Sequence, residues 1–118
     1  MQNISVKRIY EPANDADGYR ILVDRLWPRG MTKDAARIDV WMKEIAPSNA
    51  LRKWFDHDPQ KWQQFQHEYT TELKRNPLAK ELLSLIKKHK AVTFLFSSKN
   101  EQYNHAIVLR HFLQTLPQ

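Results

Sequence analysis

Apolar and polar residues alternate from Ile4 to Ile9, with Ile4, Val6 and Arg8 on one side and Ser5, Lys7 and Ile9 on the other, before Tyr10. This period of two predicts a half-buried strand. Glu11 to Gly18, rich in Asp, Asn and Pro, reads as a turn segment. Tyr19 to Leu26 is a second predicted strand, with β-favouring Ile21 and Val23 at its centre and Pro28 and Gly30 ending it.

From Asp34 the spacing turns helical: Ile38, Trp41, Met42 and Ile45 fall at i, i+3, i+4 and i+7, and Ala46-Pro47 stops the run. Ser48 is placed to cap a further short helix with Leu51, Trp54 and Phe55 on its apolar face. Asp58-Pro59 joins an N-cap to a proline at the first helical position, ahead of a stripe of Trp62, Phe65, Tyr69 and Leu73. Asn76-Pro77 repeats the signal before a helix with Leu78, Leu82, Leu85 and Ile86 inward and Lys80, Lys87 and Lys88 outward. The apolar run Ala91 to Phe96 predicts a strand covered on both faces. Ser98 and Glu101 have capping-box spacing, and a last helix is expected to continue from Tyr103 to Leu113.

Buried strands separated by helices imply an α/β domain, with a small, mainly parallel sheet flanked by helices in three layers. At 118 residues, with no internal repeat or linker, the chain reads as one domain over residues 1–118. In open parallel sheets, ligands sit beyond the carboxyl ends of the strands. The segments following the two buried strands, Arg25 to Gly30 and Ser97 to His105, are therefore expected on the same edge.

Composition narrows the chemistry. Only two glycines occur, so a glycine-rich phosphate loop is absent, and without cysteine there is no disulfide, zinc-thiolate site or thiol nucleophile. No metal or cofactor is expected. Nineteen Lys+Arg against thirteen Asp+Glu give a net charge of +6, which favours an anionic small molecule or a nucleic acid as partner; a dispersed, solvated surface excess is the plainer reading. The first residues hold no apolar leader and no run has membrane-span length, so no membrane association and a cytoplasmic location are expected.

The run Leu22-Val23-Asp24-Arg25-Leu26-Trp27-Pro28-Arg29-Gly30 carries the densest candidate chemistry. Guanidinium forks suit phosphate or carboxylate, which makes Arg25 and Arg29 candidate anion ligands, with Asp24 as orienter or acid–base group. An internal Asp–Arg pair tying down the loop is the alternative. Trp27 follows a strand instead of facing along a helix; it is placed to stack on a base or sugar, or to lie as a lid on the core. In the second loop, Ser97, Ser98 and Lys99 offer hydroxyls and an ammonium at a predicted helix start, with Asn104 beside them. His105 is a candidate general acid or base if it lies near Asp24. Ser97 or Ser98, His105 and Asp24 could form a Ser-His-Asp set, but no nucleophile-elbow sequence surrounds either serine. Arg52 and His57 could reach the same pocket; Asp56, His57 and Asp58 are adjacent in a turn and poorly spaced for one metal ion.

The chain resembles the YeaO-like branch of the bacterial domain of unknown function 488. The resemblance runs along nearly the whole chain, through the stretch from Gly18 to Gly30, Ala46-Pro47-Ser48, Leu51 to Phe55, His57, Trp62, Phe65 and Tyr69, to Lys99 and Asn104-His105-Ala106. It implies a small α/β domain and no established activity. The wider family carries Cys and Glu after the last strand and Cys-His-Arg at the following helix. Phe96 and Ser98 stand at the first pair here and Asn104, His105 and Ala106 at the second, so only the histidine is kept. Where the YeaO-like branch has an Asp, this chain has Asn100.

Three functions fit. The leading expectation is a phosphate-bearing ligand, nucleotide or nucleic acid, held by Arg25, Arg29, Lys99 and the Ser98 helix start. The second is a small cofactor-independent enzyme on an anionic metabolite with His105 or Asp24 as acid–base group. The third is a non-catalytic interaction module whose basic helix, Asn76 to Lys90, meets an acidic partner.

Overall fold

The computed structural model describes residues 3–117. Four strands, β1 (Asn3–Arg8), β2 (Tyr19–Leu22), β3 (Val40–Trp41) and β4 (Ala91–Phe96), form one sheet in the order β1-β4-β2-β3. Every pairing is parallel, with Val6 opposite Phe94, Ile21 opposite Phe94 and Leu22 opposite Trp41. The apolar run of β4 is thus the centre of the sheet, covered on both faces as a continuous hydrophobic strand requires.

Helices α1 (Lys33–Ala36), α2 (Asn49–Phe55), α3 (Trp62–Arg75), α4 (Leu78–Lys87) and α5 (His105–Thr115) divide unequally between the faces. Ile21, Val23, Val92, Phe94 and Phe96 pack against α2 to α5 through Phe55, Phe65, Tyr69, Leu82, Ile86 and Leu109. The opposite face is a thinner layer in which Ile9, Leu22 and Leu95 meet Ala36, Trp27 and Trp41. The three-layer α/β expectation holds, with one layer built from a single helical turn and a loop.

Ser48 caps α2 as expected, its Oγ accepting from Leu51 N. Asp58 Oδ1 accepts from Gln60 N and caps a 3-10 turn over Pro59–Lys61 that leads into α3. Asn76 stands one residue ahead of the α4 cap position at Pro77, its Oδ1 accepting from Leu78 N. Gly18 sits at φ +68, and a Cβ there would lie 2.2 Å from the Ala91 carbonyl oxygen, so the turn into β2 packs backbone against backbone. Beneath it, the Arg20 guanidinium donates to Asp17 Oδ2 at 2.5 Å, to the Ala36 oxygen at 2.8 Å and to the Arg37 oxygen at 3.1 Å.

Four expectations are corrected. The helix expected over Asp34 to Ile45 is a helical turn (α1), the strand β3 and a short 3-10 turn over Lys43–Ile45. Its helical spacing is a coincidence of two elements: Ile38 and Trp41 face the thin layer, while Met42 and Ile45 face the main core. β2 stops at Leu22 instead of Leu26, because past the Val23 N bond to the Leu95 oxygen the Asp24 carboxylate turns to Ser97. The last helix begins at His105, not Tyr103, and its cap is Asn104, whose Oδ1 accepts from Ile107 N. Ser98 Oγ instead accepts from Asn100 N, and no Ser98–Glu101 capping box forms.

Candidate functional site

Because all strands run parallel, the segments leaving β1, β2 and β4 emerge on one edge of the sheet. There they enclose a cleft of about 850 Å³. Asp24, Arg25, Trp27 and Arg29 line it from the β2 side; Ser97, Ser98, Lys99, Asn104 and His105 line it from the β4 side, and Arg52 reaches it from α2. Both loops do share an edge, as strand direction requires.

The floor is a carboxylate held at two ends. Asp24 Oδ2 accepts from Ser97 N at 2.9 Å and Ser97 Oγ at 2.6 Å. His105 Nε2 lies 2.9 Å from the Val23 oxygen and 3.1 Å from Asp24 Oδ1. A carbonyl only accepts, so Nε2 carries a proton aimed at Val23, and the buried Oδ1 keeps ion-pair proximity without a hydrogen bond of its own. Burial pushes the Asp24 carboxyl upward, but His105 and the two Ser97 donors outweigh it and hold it below its ordinary value. Asp24 is therefore ionised at neutral pH. In the neutral ring, His105 Nδ1 is a lone pair with no protein partner among the described residues.

This geometry overturns the Ser-His-Asp arrangement. The Ser97 hydroxyl donates to the carboxylate, not to the imidazole, and Ser98 Oγ accepts from Asn100 N, so His105 is not hydrogen-bonded to either serine. Behind His105, the Tyr69 ring lies edge-on at 6.2 Å and its hydroxyl donates to the Ile45 oxygen at 2.7 Å. Burial, reinforced by the carboxylates of Glu72 and Asp24, lifts the Tyr69 phenol well above its ordinary value, and it is a fixed donor.

The cations divide into tied and untied groups. Arg25 makes no pair with Asp24; it donates to the Pro47 oxygen at 3.2 Å and the Ala46 oxygen at 3.1 Å, with Glu44 at 3.5 Å. Arg25 thus holds the segment before α2 against the loop after β2. The side chains of Arg29 and Lys99, both exposed, have no hydrogen bond or ion pair among the described residues. Arg52 has only a long bond to Asn49 Oδ1 at 3.5 Å. Among the described residues Asp24 is the one carboxylate lining the cleft, and it is already engaged.

Two other candidates have structural duties. Trp27 packs edge-on against Trp41 at 5.4 Å and donates from Nε1 to the Met31 oxygen at 2.7 Å, so it is a lid on the thin layer as well as part of the wall. Besides capping α5, the Asn104 amide donates to the Asn100 oxygen at 3.0 Å, and the residue is 2% exposed. Among the described residues, no group of three His, Asp or Glu side chains is placed to hold a metal ion, and no helix is long and apolar enough to cross a membrane.

Sequence reasoning missed Arg8 and Tyr10. Arg8 Nε donates to the Ser98 oxygen at 2.9 Å and Nη2 to the Ser97 oxygen at 3.3 Å, pinning the second loop. The same guanidinium lies 5.0 Å over the Tyr10 ring, and the Tyr10 hydroxyl donates to the Arg29 oxygen at 2.8 Å. The strand-end rule applied to β1 would have found both. Phe55, Phe65 and Tyr103 also reach the cleft, joined by His57, whose φ of 57 follows Asp56 at φ 44. Two successive left-handed residues turn the chain sharply after α2 and leave His57 at the wall.

A family model described as the inactive DUF488-N3 subclade (DUF488-N3i) matches residues 3–117. The chain is 46% identical over 114 residues to the uncharacterized protein YeaO of Escherichia coli, covering 97% of this chain and 99% of that protein. It is 37% identical over 110 residues to the uncharacterized proteins Mb3100c of Mycobacterium bovis and Rv3073c of Mycobacterium tuberculosis, covering 93% of this chain and 92% of each. No solved structure matches the chain.

Proposed function

This chain belongs to the DUF488-N3i family, the inactive DUF488-N3 subclade, and from that premise we propose that it is a binding protein for a phosphate-bearing ligand, a nucleotide or a nucleic-acid end. The observation that carries this reading is the pair Arg29 and Lys99: two cations without partners among the described residues, on a cleft with aromatic lining whose one described carboxylate is committed to Ser97 and His105. A guanidinium and an ammonium supply charge-assisted hydrogen bonds to phosphate oxygens. Phe55, His57 and Tyr103 supply flat surface for a ring. The subclade's description as inactive also favours binding over turnover.

Calorimetric titration with thymidine 5′-monophosphate tests it. Binding is expected, with a rise in Tm that grows with ligand concentration. Arg29→Ala with Lys99→Ala removes two charge-assisted contacts and is expected to weaken binding about 100-fold, at about 1.5 kcal/mol each. Both residues are exposed, so the double variant keeps its fold. Unchanged affinity in that variant would overturn the reading.

One observation favours a second reading. The unpartnered Nδ1 of His105 suits it to acid–base work on a bound anionic metabolite. Turnover lost in His105→Ala with binding retained would support it, and turnover unaffected by the change would remove it.

A further inference from the structure

We propose that the cleft takes a strand of nucleic acid, single-stranded and longer than one nucleotide, with at least one base on its exposed outer wall; this rests on the phosphate-binding reading above. The two walls of the cleft come from opposite faces of the sheet. Phe55, Phe65 and Tyr103 belong to the main core, with Arg52 and His57 beside them. Trp27 belongs to the thin layer, and its loop carries Leu26 and Arg29. Tyr10, which bonds the Arg29 carbonyl, completes that second wall.

The second wall is built unlike the interior of a small-molecule pocket. Tyr10 is 40% exposed and Leu26 is 63% exposed, and with Trp54 they are the exposed large hydrophobics among the described residues. Leaving such side chains in water beside unpaired cations is the pattern of a stacking platform along a charged track. A mononucleotide enclosed by the cleft would leave that outward surface in water. A strand would use both parts: one base against Tyr103 and His57 within, phosphates at Arg29, Lys99 and Arg52, and the next base over Tyr10 and Leu26. The Arg8 guanidinium backing the Tyr10 ring is held by two carbonyl bonds, so the platform is rigid before any ligand arrives. Among the described residues Asp24 is the one carboxylate in the lining, and it is engaged by Ser97 and His105; with +6 on the whole chain, the net field favours a polyanion. Base recognition by stacking requires unpaired bases, which excludes duplex as the preferred form.

Fluorescence anisotropy on the full chain tests this with DNA and RNA strands of about six nucleotides, the DNA strand annealed to its complement, and thymidine 5′-monophosphate as competitor. One or both strands should bind at least about ten-fold more tightly than the monophosphate, a single added stacking contact being sufficient for that ratio. Log affinity for the strand should fall with log salt by about 0.7 for each phosphate held. Tyr10→Ala, and independently Leu26→Ser, should reduce the strand-to-monophosphate affinity ratio several-fold. The proposal is overturned if the monophosphate matches the strands, if duplex matches single strand, or if both variants weaken strand and monophosphate by one common factor. Those results leave phosphate binding standing; failure of every ligand to bind removes both.

Discussion

The Asp24 carboxylate joins the ends of two neighbouring strands by accepting both the amide and the hydroxyl of Ser97, at 2.9 and 2.6 Å. β2 and β4 stop exchanging backbone bonds at this level, and one side chain takes over the ladder. Asp24→Asn replaces a charged acceptor with a neutral amide. It is expected to lower unfolding stability at neutral pH by about 2 kcal/mol, measured by urea denaturation.

The same group makes stability depend on acid. The native carboxyl of Asp24 sits below its unfolded value of about 3.9, so its contribution is fully present above that value and is lost as pH falls through the native one. Asp17 is depressed in the same direction: burial raises it, and the Asn14 amide, Lys7 and Arg20 more than reverse that. Urea midpoints should therefore fall steeply below about pH 4. Asp24→Asn should flatten part of that limb and leave the Asp17 part. A limb as steep as in the wild type would contradict the assignment.

Arg20 is 4% exposed and satisfies a buried carboxylate and two carbonyls at once. Arg20→Ala leaves the Asp17 charge without its closest partner and two oxygens without donors. A loss of about 3–5 kcal/mol is expected in urea denaturation. Arg20→Lys should recover only a minor part, since an ammonium cannot span the fork.

The two glycines should respond differently to alanine. Gly18→Ala drives a Cβ to 2.2 Å from the Ala91 oxygen at positive φ, and the variant is expected not to fold, judged by circular dichroism and a lost unfolding transition. Gly30, at φ +76 with nothing within 4 Å, should lose only about 1–2 kcal/mol from the left-handed strain.

Asp56 and His57 hold a left-handed pair without glycine. Asp56→Gly should relieve strain and raise stability by about 0.5–1 kcal/mol, seen as a higher Tm. His57→Gly should raise stability likewise while removing a ring from the cleft wall, so ligand affinity should fall as Tm rises.

What could be read from the chain followed how local each signal was. The caps at Ser48, Asp58 and Asn76 and the apolar β4 run depend on neighbouring residues and were legible. The loop pairing across the sheet edge was legible too, because strand direction alone demands it. Trp41 and Met42 misled because their helical spacing matched a strand joined to a 3-10 turn, and only the pairing of Val40 and Trp41 with Ile21 and Leu22 distinguishes these. The partners of Arg25 are carbonyls more than twenty positions away, which no spacing announces. Arg8, anchoring a loop near the other end of the chain, is hidden for the same reason.

The strand order carries a consequence for how the chain is made. Among the described residues β1 pairs in the sheet with β4 alone, and β4 is translated more than eighty residues later. At roughly 5–20 residues per second, the first strand leaves the ribosome and waits several seconds without a mate. The cleft, which needs segments from both, cannot form until β4 and the loop after it have been made.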